Sequence, residues 1–493
     1  MTDETLTTTH PPSSPAPVDA PDHGPRDRLA VRLLLTSTFV VILNETIMGV
    51  AIPQLMTDLT ITADAAQWLT AAFMLTMAVV IPITGFLLQR FQTRTIFIAA
   101  MSLFSAGTLF AALAPGFELL VVARVIQASG TAIMIPLLFT TVLTLVAESA
   151  RGRVMGNISI VISVAPAIGP IISGLILNFL NWRWMYLFVL PIAIASLVIG
   201  AMRVPNVTEP TKTSLDVGSV IVSAFGFGGL VFGLSNVGTA GINAVQSWLP
   251  LAVGVIGITL FILRQLQLQR VDAALLDLRT FKARTFTFSV AMLAISMIAL
   301  FGTFILLPIY TQKVLELDPF VTGMLMLPGG LIMGLLAPPV GRLYDRIGPR
   351  VLVVSGSIIV STAIWGMTLL TATSPLWWVL VAHVTLSIGL ALVFTPLFSA
   401  GLGDIPPHLY SHGSAVVGTL QQLAGAAGVA LFITVMSATV LREMGSGVAE
   451  VAATAHGIHT AFIVGAIISL FAIPLAFLIR KPASQPGEWS GGH

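Results

Sequence analysis

Long apolar stretches separated by short polar breaks occupy most of the chain, and their length decides what they are. A bilayer core of about 30 Å takes about 20 residues of α-helix at 1.5 Å per residue. Fourteen runs reach that length, at roughly 30–56, 67–89, 95–115, 119–146, 153–180, 184–202, 214–236, 247–268, 285–311, 320–341, 350–371, 376–399, 413–440 and 459–479. The sequence therefore predicts an all-α membrane protein with fourteen transmembrane helices and short connections. Residues 1–28, MTDETLTTTHPPSSPAPVDAPDHGPRDR, hold too few apolar side chains to pack and are expected to be a disordered tail. An acidic start, an overlong first apolar run and the lack of an A-x-A site argue against a signal peptide. Residues 482–493 form a second tail.

Basic residues give the sidedness, because Lys and Arg are retained on the cytoplasmic face. With the N-terminus inside, nineteen of the 23 Lys and Arg fall in cytoplasmic segments. Only Arg183, Lys313 and Arg442 fall outside, and Arg124 lies within a helix. An even number of crossings then puts both termini in the cytoplasm.

Composition agrees with this reading and removes other function classes. Apolar residues make up 56% of the 493 and charged residues 9%, against about 25% charged in a soluble domain; the mean hydropathy is +0.96. The net charge is only +2 and the basic residues are dispersed, which offers nothing to nucleic acid. With no cysteine there is no disulfide, thiolate metal site or thiol nucleophile.

One loop occurs twice. GFLLQRFQTR, Gly85 to Arg94, follows the second helix, and GRLYDRIGPR, Gly341 to Arg350, follows the tenth. Each opens with Gly and carries Arg at its sixth and tenth places, Arg90 and Arg94 in one, Arg346 and Arg350 in the other. If each copy follows the second helix of a six-helix half, the halves are 29–203 and 276–481, with 204–275 an inserted helix pair. Paired halves around a central site are a recurrent transporter plan.

On these residues the chain resembles the major facilitator superfamily, and within it the fourteen-helix drug:proton antiporters, over roughly residues 30–480. The second copy matches the family's G-x-x-x-D-R-x-G-x-R loop through Gly341, Asp345, Arg346, Gly348 and Arg350. The first copy departs from it, with Gln89 for Asp and Gln92 for Gly, so its charged latch is expected to be the weaker. A Gly there lets helix ends approach closely, and the Asp is expected to accept from backbone N–H groups at the start of the next helix. The fifth helix, from Gly156 through Ala165, Gly169, Pro170, Ser173 and Gly174, is similar to the family's exporter motif. Its small-residue face and its prolines, which remove backbone donors, suit either a hinge or simple tight packing. NWRWMYLFVLP, Asn181 to Pro191, is similar to the family's outer loop and also reads as an interfacial aromatic belt.

Two charges lie inside helices. Glu45 stands thirteen residues from both Arg32 and Asp58, about 20 Å from each and so near the midplane. A charge there costs about 2.5–3.5 kcal/mol on insertion scales, and burial disfavours the charged form, which suits a group that exchanges a proton. The resemblance places an acid one position earlier, at Asn44, so Glu45 faces either a cavity or a neighbouring helix. Arg124, in ARVIQASGTA, is similar with Gln127 to the superfamily's R-x-x-Q motif, to which the resemblance attaches proton coupling. Glu45 is its candidate partner, with carbonyls of a neighbouring helix as the alternative.

Asn44, Phe73, Gln127, Phe301, Phe304, Tyr310 and Phe394 are candidates to line a cavity for a lipophilic ligand. Asn157, His383, Gln421 and Gln422 read more readily as helix–helix hydrogen-bonding residues. There is no phosphate loop and no room for an ATPase domain, so the energy source is expected to be an ion gradient with no cofactor. No H-E-x-x-H or G-x-S-x-G motif supports an enzyme or a metal site. The expectation is a monomeric, multi-pass, proton-coupled exporter of lipophilic, often cationic drugs in the bacterial cytoplasmic membrane. The alternatives are an exporter of one antibiotic or metabolite, as in lincomycin-resistance-like members, and a lipid-moving relative.

Overall fold

In the computed structural model the described residues are 25–61, 63–147, 150–207, 210, 215–236 and 244–481. Residues 1–24 and 482–493, which hold most of the two expected tails, lie outside them. Among the described residues the regular structure is helical: α1 Pro25–Asp58, α2 Ala63–Arg90, α3 Thr93–Leu113, α4 Phe117–Leu145, α5 Arg151–Phe179, α6 Arg183–Arg203, α7 Val217–Asn236, α8 Ala244–Leu268, α9 Arg284–Ile309, α10 Pro319–Ile347, α11 Pro349–Met367, α12 Leu376–Gly403, α13 Tyr410–Gly445 and α14 Glu450–Ala476. All fourteen contain a stretch long and apolar enough to cross a bilayer. They coincide with the fourteen predicted runs to within a few residues. The largest extensions are at the start of α14, nine residues before the predicted run, and at the end of α10, six residues past it, where the helix continues into polar residues that an apolar count stops short of.

Helices α1 to α6 pack among themselves, α1 against α4, α5 and α6, α2 against α4, and α3 against α4 and α6. A second bundle joins α9 to α12, α13 and α14, α11 to α12 and α14, and α10 to α12. The bundles meet along α5–α10 and α2–α13, with α4–α13 and α5–α12 alongside. Helices α7 and α8 lie against each other, and α7 attaches to α2 and α13. Outward faces carry large apolar side chains such as Phe179, Phe188, Leu335 and Phe471, the surface that lipid covers in a membrane.

The end of the bundle that carries the repeated loop is clamped shut. There α5 and α10 approach backbone to backbone at Gly152 and Gly341, where a Cβ on either would strike the other's carbonyl oxygen. Thr140 of α4 donates to Ser414 of α13 at 3.1 Å, and Thr395 of α12 to Ser159 of α5 at 2.9 Å. Between them the Phe139 and Phe398 rings meet across the bundles at 5.1 Å. Towards the far ends of the same two helices the contact is lost: a Cβ added at Gly174 of α5 or Gly323 of α10 would meet nothing within 4 Å.

The connector between α8 and α9 is built, not slack. Buried Gln265 accepts from the Leu275 and Leu276 N–H groups at 2.8 and 3.2 Å and donates to Ser219 of α7 at 2.7 Å. Ser219 in turn donates to Asp216, which Arg264 holds with two bonds of 2.6 and 2.7 Å.

Candidate functional site

Arg124 is set on α4 one turn before Gln127, so i, i+3 spacing brings the two side chains onto one face. The guanidinium is 1% exposed. It donates to Gln127 Oε1 at 2.7 Å and to the Leu69 carbonyl of α2 at 3.4 Å, and it lies 4.1 Å above the Phe73 ring. Gln127 donates onward to Thr108 of α3 at 2.7 Å, and Thr108 to the Phe104 carbonyl at 2.7 Å. A buried cation must be paired and hydrogen-bonded; here carbonyl, amide and aromatic face satisfy three sides of it.

The remaining charge comes from α1, where Glu45 acts electrostatically on Arg124, while Tyr186 of α6 stands beside them as a neutral hydroxyl. Glu45 makes no ion pair with Arg124 within 4.0 Å, and among the described residues its carboxylate has no hydrogen-bond partner. The sequence left open whether Glu45 faces a cavity or a helix; the side chain is half-buried and lies within electrostatic range of Arg124 of α4. Both alternatives offered for Arg124 are present together, a carbonyl as direct partner and the acid at longer range. Tyr186 was not among the site candidates. Its hydroxyl contacts Met48 sulfur at 3.0 Å and its ring meets Trp182 edge-on at 6.3 Å. Trp184 and Phe188 of the same segment are exposed, so the outer loop is both a packed corner and an aromatic rim.

The cavity candidates separate by packing. Asn44 is buried with its Oδ1 unpartnered, whereas Thr46 beside it donates to the Ala165 carbonyl of α5 and sits against Gly169. Phe73 is 1% exposed beneath Arg124. Phe301 packs on Gly425 of α13, and Phe304 meets His383 edge-on at 6.3 Å. Phe394 stacks on Phe398 at 6.2 Å, inside the clamped end. Tyr310 is buried just past α9 and donates its hydroxyl to the Thr371 carbonyl at 2.6 Å, a loop tie. Gln421 and Gln422 of α13 each have an unpartnered side-chain nitrogen. Pro170 lies in α5, and its side chain lies outside the described residues.

The two loop copies make different junctions. Asp345 does not cap the helix that follows it, as the sequence led us to expect; its carboxylate accepts from the Gly152 and Arg153 N–H groups at 2.9 and 3.1 Å, the first turn of α5 in the other bundle. The start of α11 is instead shaped by Gly348, whose φ of 78° lies in the left-handed region. Arg346 is exposed, and Arg350 rests over Phe477 at 5.7 Å. In the first copy Gln92 has φ −63°, a conformation any residue adopts, so no Gly is required there. Gln89 puts a neutral amide where the second copy has a carboxylate, and it donates to the His408 carbonyl at 3.1 Å. Arg94 ties this loop to the end of α6 through the Val204 carbonyl at 2.8 Å.

Gly85 lies against His412 of α13, and His412 feels the charges of Asp277 and Arg279 in the α8–α9 connector. Burial pushes the Asp277 carboxyl up, but its hydrogen bonds from Arg279 outweigh this and hold it below the usual carboxylate range. The inserted pair is thereby wired to the clamped end, a link that sequence separation alone conceals.

Comparison with known proteins places the whole assembly. The sequence profile of the Major Facilitator Superfamily matches residues 34–429. The chain is 40% identical over 452 residues to the lincomycin resistance protein LmrB of Listeria monocytogenes, covering 91% of this chain and 95% of that protein. It is 28% identical over 433 residues to the multidrug resistance protein B homolog of Mycobacterium tuberculosis, covering 85% and 80%. The crystal structure of the human organic anion transporter MFSD10 (TETRAN) superposes with a TM-score of 0.63 at 14% identity, covering 92% of this chain and all of that one, a likeness of fold alone.

Proposed function

Starting from the fact that this chain belongs to the Major Facilitator Superfamily of membrane transporters, we propose that it is a proton-coupled exporter of lipophilic, often cationic drugs from bacteria. The observation that carries the reading is the acid Glu45 held inside the helix bundle, close enough to Arg124 to feel its charge and without a hydrogen-bond partner among the described residues. Such an acid is costly unless it serves transport, and it can be neutralised by a proton or by a cationic substrate. Competition of the two for one carboxylate makes exchange obligatory.

The bundles 29–203 and 276–481 are the two moving halves. The clamped end is the cytoplasmic one, on the reading that Lys and Arg concentrate there, so this conformation faces outward and is ready to take up a proton and release drug. Inward opening breaks the Asp345–Gly152, Thr140–Ser414 and Thr395–Ser159 contacts. Asn44 and Phe301 offer polar and aromatic contacts to a drug in the space between the halves. A narrower substrate range is the second reading, favoured by the relative at 40% identity whose name specifies lincomycin resistance.

The test is uptake of a lipophilic cationic dye or of lincomycin by everted vesicles, in which an exporter drives its substrate into the lumen. Uptake that collapses with a protonophore and persists without sodium supports the proposal. Transport that follows the sodium gradient contradicts it, and transport of lincomycin alone selects the narrower reading.

A further inference from the structure

The second bundle contains a position built like the Arg124 site but occupied by a different kind of group. His383 stands seven residues into α12, as Arg124 stands seven residues into α4. Each reaches across to a backbone carbonyl of the second helix of its bundle: Arg124 to Leu69, sixteen residues before Gly85, and His383 Nε2 to Met326 at 3.1 Å, fifteen before Gly341. A carbonyl only accepts, so Nε2 carries the hydrogen, and Nδ1 of the neutral ring is a bare lone pair. That atom is buried and has no hydrogen-bond partner among the described residues, in a side chain 4% exposed.

What surrounds the two groups differs in a consistent way. Phe73, which fills the space beneath Arg124, is matched 256 residues later by Gly329, the same offset that relates Gly85 to Gly341. Gly329 lies against the His383 ring, with no room for a Cβ. A void of about 10 Å³, room for one water, adjoins the ring between Thr303, Phe304, Gly330, Met333 and Ser387. Glu45 acts on Arg124 from α1, whereas α9, the first helix of the second bundle, presents the Phe304 ring edge-on to His383. Among the described residues no acidic or basic side chain faces His383 from α9, α10 or α12. A permanent cation would be uncompensated there at all times; an imidazole carries the charge only while the proton is bound, so the site bears the cost transiently.

We propose that His383 is a second proton-binding site, the titratable counterpart of Arg124 in the other half, served by one water in the adjoining void. The Nδ1 lone pair takes the proton from hydronium arriving through that void, the hydronium becomes the resident water, and the ring becomes an imidazolium that still donates Nε2–H to Met326. Coupling then involves two groups, Glu45 in the first half and His383 in the second, an addition that rests on the proton-driven reading above.

The first readout observes the ring directly, independently of transport. The full chain, labelled with 15N-histidine in lipid nanodiscs, gives imidazole resonances, and the one missing from His383→Gln, or from His383→Asn if Gln folds poorly, belongs to His383. The expected result is an Nε2–H tautomer that becomes doubly protonated as the pH falls from about 7 to about 4, together with a transport pH profile that loses one inflection in the variant. An Nδ1–H tautomer, or a resonance unchanged over that range, overturns the proposal. Failure of this proposal leaves Glu45-dependent efflux intact, whereas failure of proton-driven efflux in the wild type, with His383 still titrating, would contradict the transport reading instead.

Discussion

Asp345 at the end of α10 and Gly152 at the start of α5 are bound across the two bundles, the carboxylate accepting the Gly152 N–H at 2.9 Å. A carboxylate at a helix N-terminus gains from unsatisfied N–H groups and from the helix dipole together. It stabilises only the conformation in which these two helix ends meet. Replacing Asp345 by Asn should therefore cost the clamped state about 0.5–2 kcal/mol. The chain has no cysteine, so Ser414→Cys at the clamped end can report on opening through its maleimide labelling rate. Adding Asp345→Asn should raise that rate several-fold, while adding Gln89→Asn should change it little, because that exchange removes no charge and keeps an amide. Equal rates in the two double variants would contradict the cross-bundle latch.

Gly341→Ala tests the same junction by volume. Its Cβ would meet the Gly152 carbonyl, and backbone cannot yield as a flexible side chain does. The substitution should hold the ends apart, raising Ser414→Cys labelling more than Asp345→Asn does and lowering efflux at least tenfold. Wild-type efflux at wild-type expression would mean that closure here is dispensable.

The order and span of all fourteen helices were legible because each is an apolar run of bilayer length, and the repeat was legible because Gly85 and Gly341 open loops of one pattern. Its partners were not. Nothing in GRLYDRIGPR indicates that Asp345 reaches residues 193 and 192 positions earlier in the chain, since that pairing depends on how the two bundles dock. Arg124 and Glu45 could be singled out one at a time by the cost of burying charge. Tyr186 and Thr108 could not, because a hydroxyl in a membrane helix is commonplace. Gly348 was legible as a motif residue, but the reason for it, a positive φ, became clear only in contrast with Gln92.

The junction of α7 with α8 carries a pH signature. Hydrogen bonds from Arg264 hold the Asp216 carboxyl well below the usual carboxylate range, so the folded state binds this proton less readily than the unfolded chain. Its contribution to stability is complete above the unfolded carboxylate value of about 3.9 and is lost as pH falls towards the folded one. Asp216→Asn should accordingly lower the melting temperature at pH 7, and the difference from wild type should shrink only below about pH 4. A difference that is constant down to pH 3 would show that the charge is not what holds α7 to α8.

Arg124 is bonded by a fork that lysine cannot reproduce. Arg124→Lys keeps the charge but cannot serve Gln127, the Leu69 carbonyl and the Phe73 face at once. It should reduce proton-driven efflux at least tenfold in vesicles while leaving protein in the membrane. Activity within twofold of wild type would mean that charge alone suffices at this position.

The central claim is that Glu45 exchanges its proton for drug, and the most direct measurement is counterflow of protons in liposomes containing the purified Glu45→Gln variant. Glutamine keeps the size of the side chain and fixes it in a neutral form. The account predicts that the variant binds a lipophilic cation with little dependence on pH, moves it down its own gradient, and neither accumulates it against a gradient nor releases protons as it crosses. Full uphill transport with proton release by Glu45→Gln would contradict the account and move the coupling to another group.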